Sequence, residues 1–299
     1  IRLLGTYAEA RRYVEQALAI QERVVGTEHP DTARSLSNLG TVLWRQGEYA
    51  EAQRCLEQAL AIQERVLGLE HRDTTQSIYS LGGVHWFQGR FAESRRYTEQ
   101  VLAIQQRTLG LEHPATARSL STLGVILESL GAYAEARRCL EQALAIQERV
   151  VGDEHPDTAH TLINLGVVLC AQGEYDRSWN CLQQALTIHK RVLGLNHPGM
   201  ALSLLSLGNL RYAQGRYVEA QSYHEQALAI RERVLGADHP DTATSLNHLG
   251  LVLQKQGDVQ AAHEYFAHAL AIFERCLGSN HPATQAACTA LAALKQKNK

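Results

Sequence analysis

Apolar residues recur along this chain at helical spacing, in blocks that repeat every 42 residues. In the block opening at His29, Leu36, Leu39, Gly40 and Leu43 share one side of a helix, because residues three, four and seven apart stack together. Pro30 suits the first helical position, where its missing N–H is harmless, and Asp31 favours the positive helix end. Gly47 reads as the residue that stops this helix. Tyr49 and Ala52 open a second helix, whose apolar face runs through Leu56, Ala59, Leu60 and Ile62 to Val66, and Gly68 closes it. The pattern predicts two antiparallel helices of roughly 16 to 19 residues with a tight turn between them.

The block opens at His29, His71, His113, His155, His197, His239 and His281. A fixed period in the range of about 20–50 residues marks a solenoid, in which each unit packs mainly on its neighbours. The reading is therefore one array over 1–299. It has a partial leading repeat (1–28), full repeats at 29–70, 71–112, 113–154, 155–196, 197–238 and 239–280, and a capping helix at 281–299. Glycines recur inside the first helix (Gly40, Gly82, Gly124, Gly166, Gly208, Gly250) and predict close helix approach, since mid-helix Gly costs roughly 1 kcal/mol against Ala. A second set marks the turns (Gly5, Gly47, Gly89, Gly131, Gly173, Gly215, Gly257). Every proline follows a ladder histidine, and Arg72 is the one substitution.

Leu36, Leu39-Gly40, Leu43, Ala52, Leu56 and Ala59 resemble the tetratricopeptide repeat, and the match extends over nearly the whole chain. The usual repeat is shorter, about 34 residues. The added length, with the His-Pro-Asp-Thr and Ala-Leu-Ala-Ile-x-Glu-Arg-Val-Leu-Gly blocks, is similar to the kinesin-light-chain type. Similar arrays occur in nephrocystin-like proteins and in sensor regions of signalling ATPases and caspase-like proteases. The resemblance implies an all-α, right-handed superhelix of antiparallel helix pairs, with the first helices lining a concave groove that takes a peptide of a partner protein.

Charge changes this picture little. The 29 basic and 31 acidic residues nearly balance, so no strong attraction to nucleic acid or an anionic membrane is expected. No apolar run reaches the ~18–20 residues of a bilayer span, and Ile-Arg-Leu-Leu-Gly is not a signal peptide. There is no Cys-x-x-Cys pair. Cys55, Cys139 and Cys181 share a repeat position with Tyr97, Tyr223 and Tyr265, which marks a packing site and points to a reducing, cytoplasmic compartment.

The chain ends carry expectations of their own. Residues 1–4 align with the tail of a first-type helix, Gly5 with a turn, and about 6–25 with a second-type helix that leaves Tyr7, Ala10, Ala17 and Leu18 partly uncovered. This suggests the C-terminal piece of a longer protein, monomeric, with a truncation-driven dimer as the alternative. Lys-Gln-Lys-Asn-Lys, after a helix at about 283–295, reads as a polar cap.

Chemistry-bearing residues favour structural roles. Equivalent side chains of neighbouring repeats stand ~8–10 Å apart or more, so the histidine ladder cannot share one zinc with its ~2.0–2.1 Å bonds. A second ladder (Arg23, Arg65, Arg107, Arg149, Arg191, Arg233, Arg275) favours the helix dipole and can reach an acidic group in the next turn. Cys170 and His160 are ten residues apart on one helix, ~15 Å along its axis, and no phosphate loop, His-Glu-x-x-His or Gly-x-Ser-x-Gly occurs. The expectation is no enzyme, no metal and no cofactor. His85 and His224, at positions otherwise held by Leu43 and Leu56, read as core histidines with a local hydrogen-bond partner.

Departures from the repeat should carry the individual function. The groove positions are Arg34, Ser37, Thr41, Trp44 and Arg45 in the first full repeat, and Gln76, Tyr79, Gly83, Trp86 and Phe87 in the second. The third places Arg118 there, and later repeats turn apolar around Ile163, Leu205, Asn209 and Tyr212. Trp44, Tyr79, Trp86 and Phe87 are expected to cluster, and aromatics beside arginine are common peptide anchors; packing between helices is the competing reading. Asn38 and Asn164 sit where the resemblance places a peptide-backbone-binding Asn. A chaperone-type C-terminal tail is disfavoured, because no groove Lys precedes Lys255. The function expected is a protein-interaction scaffold that binds a peptide segment. The alternative is a regulatory or sensor region of a larger ATPase or protease.

Overall fold

A computed structural model describes the backbone of residues 2–279 and 281–297, and the side chains of residues 9–279 and 281–294. Among the described residues there are fourteen helices and no strand. The first-type helices are α2 (Pro30–Arg45), α4 (Arg72–Phe87), α6 (Pro114–Ser129), α8 (Pro156–Ala171), α10 (Pro198–Ala213), α12 (Pro240–Gln256) and α14 (Pro282–Lys297). The second-type helices are α1 (Arg2–Val24), α3 (Tyr49–Val66), α5 (Phe91–Thr108), α7 (Tyr133–Val150), α9 (Tyr175–Val192), α11 (Tyr217–Leu235) and α13 (Val259–Leu277). Within each repeat the two helices pack together, as in α2 with α3 and α10 with α11. Within each unit, second-type helices also pack on the next first-type helix, as in α3 with α4 and α11 with α12. The chain is an all-α repeat array that divides into two compact units, Ile1–Ile146 and Gln147–Lys299.

The His-Pro-Asp-Thr block is a helix-start device. His29 Nδ1 accepts the Asp31 backbone N–H at 3.2 Å, and the same bond recurs at His71, His113, His155, His197, His239 and His281. The ladder histidines are thus N-caps, filling the role that Ser, Thr, Asn and Asp usually take. Thr32 Oγ1 donates to the Gly26 carbonyl at 2.7 Å and ties the helix to the preceding turn. Thr116, Thr158, Thr242 and Thr284 repeat the tie. Gly26 and its equivalents have positive φ, which only glycine adopts freely.

Close approach explains the mid-helix glycines. A Cβ on Gly40 would lie 2.7 Å from Leu56 Cγ, and one on Gly124 would lie 2.5 Å from Leu140 Cγ. In the second full repeat the facing residue is Thr98, and the hypothetical Cβ of Gly82 clears it at 3.4 Å.

Two expectations need correction. Gly5 lies inside α1 and not at a turn, since helical continuation pairs backbone groups that four preceding residues could not pair as a helix of their own. The arginine ladder reaches backward: Arg65 pairs with Glu28, Arg107 with Glu70 at 2.6 Å, Arg191 with Glu154 and Arg275 with Asp238. The helix C-terminus ends beside the turn that opened its own repeat, so the nearest carboxylate is the earlier one. The side chain of Tyr7 and the Lys-Gln-Lys-Asn-Lys segment lie outside the described side chains.

Candidate functional site

The predicted groove stripe divides in two in the first unit. Ser37 is buried, and its hydroxyl shares a 2.9 Å hydrogen bond with Ser77 of α4. Trp44 leans the same way, with its indole on the bare backbone of Gly83. These residues pack α2 against α4. Arg34, Asn38 and Arg45 stay exposed. Arg34 pairs with Asp31 at 3.2 Å and with Asp73 of the next repeat at 3.3 Å.

Trp44, Trp86 and Phe87 do come together. Phe87 meets Trp44 edge-on at 5.7 Å and Trp86 at 4.9 Å, and stacks on Tyr49 at 5.9 Å. The Arg45 guanidinium stands 6.0 Å from the Trp44 ring. Trp86 turns toward Phe91 of α5, and its indole N–H is buried without an acceptor. Only Phe87, 37% exposed, offers solvent a large aromatic face in this cluster. Tyr79 is not part of it. It lies two turns earlier on α4 and faces the third full repeat.

There Tyr79, itself 37% exposed, lines an open pocket of about 630 Å³. Arg72, Thr75 and Gln76 of α4 share the wall with Ile104, Gln105 and Thr108 of α5 and with Ala115, Arg118 and Ser119 of α6. Helix geometry brings Arg72, Gln76 and Tyr79 to one side of α4, at spacings of four and three. Arg72 stands where the other repeats carry proline, and it has no ion-pair partner among the described residues. Glu70 also reaches the pocket but is paired with Arg107 at 2.6 Å. Gln105 is fixed by Ser119, which donates to its Oε1 at 2.7 Å. The pocket therefore combines an aromatic face, two guanidiniums and several amide and hydroxyl groups. Sequence comparison between repeats singled out Tyr79, Gln76 and Arg118. It missed Arg72, whose signal was the broken His-Pro pair.

In the second unit, Asn164 and Asn209 are partly buried, and Tyr212 meets Tyr217 edge-on at 5.6 Å. Burial raises the Tyr212 phenol above its usual range. A site missed from sequence is Trp179 of α9, whose ring carries the buried Arg211 guanidinium at 3.7 Å. Cys170 is half-buried, and burial raises its thiol, which disfavours the nucleophilic thiolate. His85 and His224 are buried as expected, but each has an Nδ1 without a partner and a ring stacked on a neighbour, Tyr97 and His248 respectively. Stacking, not a hydrogen bond, fills the volume that leucine takes elsewhere.

A model of the tetratricopeptide repeat matches residues 1–65, 73–149, 123–191, 157–231 and 200–275. Comparison with curated proteins gave no match. Among solved structures, a Podosopora anserina chain assigned as a kinesin light chain with nearly identical TPR-like repeats is 32% identical, with 69% of this chain and 97% of that one covered, at a TM-score of 0.56. BtubC (BKLC) from P. vanneervenii is 24% identical over 80% of this chain and 94% of that one, at a TM-score of 0.57. The Cut9-Hcn1 hetero-tetramer of the APC/C aligns over 95% of this chain and 46% of that one, at 15% identity and a TM-score of 0.61. The latter two share the fold.

Proposed function

The chain belongs to the tetratricopeptide-repeat family, and we propose from that footing that it is an interaction scaffold whose first unit binds a peptide segment of a partner protein. Repeat proteins of this family generally act as protein-interaction scaffolds, and the fold is typically non-catalytic. The observation that carries the finer reading is the pocket formed by Tyr79, Arg72 and Arg118. An exposed tyrosine flanked by guanidiniums gives apolar contact, hydrogen bonds and charge at one spot, as binding hot spots do. The exposed Phe87, with Arg45 nearby, provides a second contact further along α4. Trp44 and Trp86 support this face from beneath.

The test is a random-peptide display selection on the folded chain, followed by titration of the selected peptides against wild type, Tyr79→Ala and Arg72→Ala. Circular dichroism would verify that all three are equally helical. Loss of at least about tenfold in affinity in each variant, roughly 1.4 kcal/mol, is the expected result. Unchanged affinity would place binding elsewhere.

A further inference from the structure

The second unit holds a concentration of imidazoles that its repeat pattern does not require. His189 of α9 occupies the position of Gln63, Gln105 and Gln147, and His160 of α8 that of Arg34, Gln76 and Arg118. The two rings meet at 5.3 Å. His189 is fully buried, its Nδ1 is 2.9 Å from Ser203 Oγ of α10, and the backbone of Gly199 beside the ring favours its charged form against the larger cost of burial. His197 caps α10 from the same junction and adds its charge, when protonated, to that felt by both rings. Among the described residues, Asp157 is the carboxylate that acts on this group, through His160.

The α11–α12 seam follows the same scheme. His224 of α11 replaces leucine and His248 of α12 takes the Asn38 position, with rings stacked at 5.2 Å. Arg231, buried on α11, donates to the Asp241 carbonyl at 2.7 Å and to Ser245 Oγ at 2.9 Å. The charges acting on His224 are those of His248 and Arg231; His248 feels Arg231. Asp241 acts on Arg231 and on the capping His239. A proton on either stacked ring would therefore place a second buried cation beside the first.

We propose that the second unit is an acid-sensitive element whose α9–α10 and α11–α12 seams stay closed only while their histidines are neutral, and open on acidification. Among the described residues no three His, Cys, Asp or Glu side chains are grouped to hold a metal ion, so metal binding does not account for these clusters. Burial lowers His189 and His248 to about 4 and His224 to about 3; His160, an exposed residue, is lowered by partial desolvation where its ring packs on His189. In the open state each returns to about 6.5. The open state thus binds more protons, and closure weakens as pH falls below about 6.5 toward those lower values.

The experiment is hydrogen–deuterium exchange by mass spectrometry at pH 7 and pH 5, with exposure times scaled to the intrinsic rate. Peptides from α10 and α12 should lose protection at pH 5, while those from α2 and α6, which carry no histidine within the helix, keep it. In His160→Arg/His189→Gln/His224→Leu/His248→Asn, built from the chain's own repeat residues, protection of α10 and α12 should be the same at both pH values. His189→Gln alone keeps a partner for Ser203 and should protect α10 only, which covers the case of a misfolded quadruple variant. Equal acid loss in wild type and His189→Gln at α10, or equal loss in α6 and α12 of wild type, overturns the proposal.

Discussion

Trp44 rests on Gly83: a Cβ there would come 3.2 Å from the indole Cζ2 and 3.3 Å from Cη2. Gly83 is the second glycine of a pair, at a position held by Thr41, Val125 and Val167 in other repeats. The large indole on α2 and the missing side chain on α4 are two halves of one fit. Gly83→Val should displace the indole, lower stability by about 1–3 kcal/mol and shift tryptophan emission. Chemical denaturation monitored by fluorescence checks it; wild-type stability and emission would mean that the fit is slack.

The two neighbouring glycines separate by sign. Gly124→Ala would drive a methyl group into Leu140, and a loss of about 1–3 kcal/mol is expected. Gly82→Ala meets Thr98 and Tyr97 only at 3.4 Å, so the helix-propensity gain of up to about 1 kcal/mol should dominate. Thermal melts of both variants decide it, and the same direction in both would refute the close-approach account.

These pairs show what was legible in the sequence. The period, the helix pairs and the glycine positions of the full repeats follow from spacing alone, because a repeat states each local rule six times or more; Gly5, in the partial leading repeat, is the exception. The splitting of the groove stripe does not. Ser37 and Trp44 lie on the side of α2 that meets α4, and a single-helix wheel cannot tell an open face from one covered by the next repeat. Tyr79 was visible as an exception to the repeat and Arg118 as a groove position shared with Arg34. Their meeting in one pocket with Arg72 depends on how α4, α5 and α6 pack.

The capping role of the histidine ladder predicts a substitution rule. His113→Ala removes the acceptor for the Ala115 N–H and should cost about 1 kcal/mol, whereas His113→Asn keeps an acceptor and should stay close to wild type. Urea midpoints of the two variants test this; equal losses would mean that ring packing, not the hydrogen bond, is what matters at this position.

Phe273 and Ala287 show the inter-repeat tie rewritten in apolar form. At three earlier seams the second-type helix carries a polar residue that meets a hydroxyl fourteen residues later: Gln105 with Ser119, His189 with Ser203, Arg231 with Ser245. In the last pair both partners are apolar and both are buried. Losing one polar partner strands the other, while exchanging both is nearly neutral. Ser119→Ala should therefore cost about 0.5–1.5 kcal/mol by removing the hydrogen bond to the half-buried Gln105 Oε1, and Ser119→Ala/Gln105→Phe should recover much of it. Conversely, Phe273→Gln leaves a buried amide against Ala287, and Ala287→Ser should offset part of that loss. A double-mutant cycle at each seam measures the coupling, expected at about 0.5–3 kcal/mol. Additive losses at both seams would show that the pairs share a register position without forming a tie.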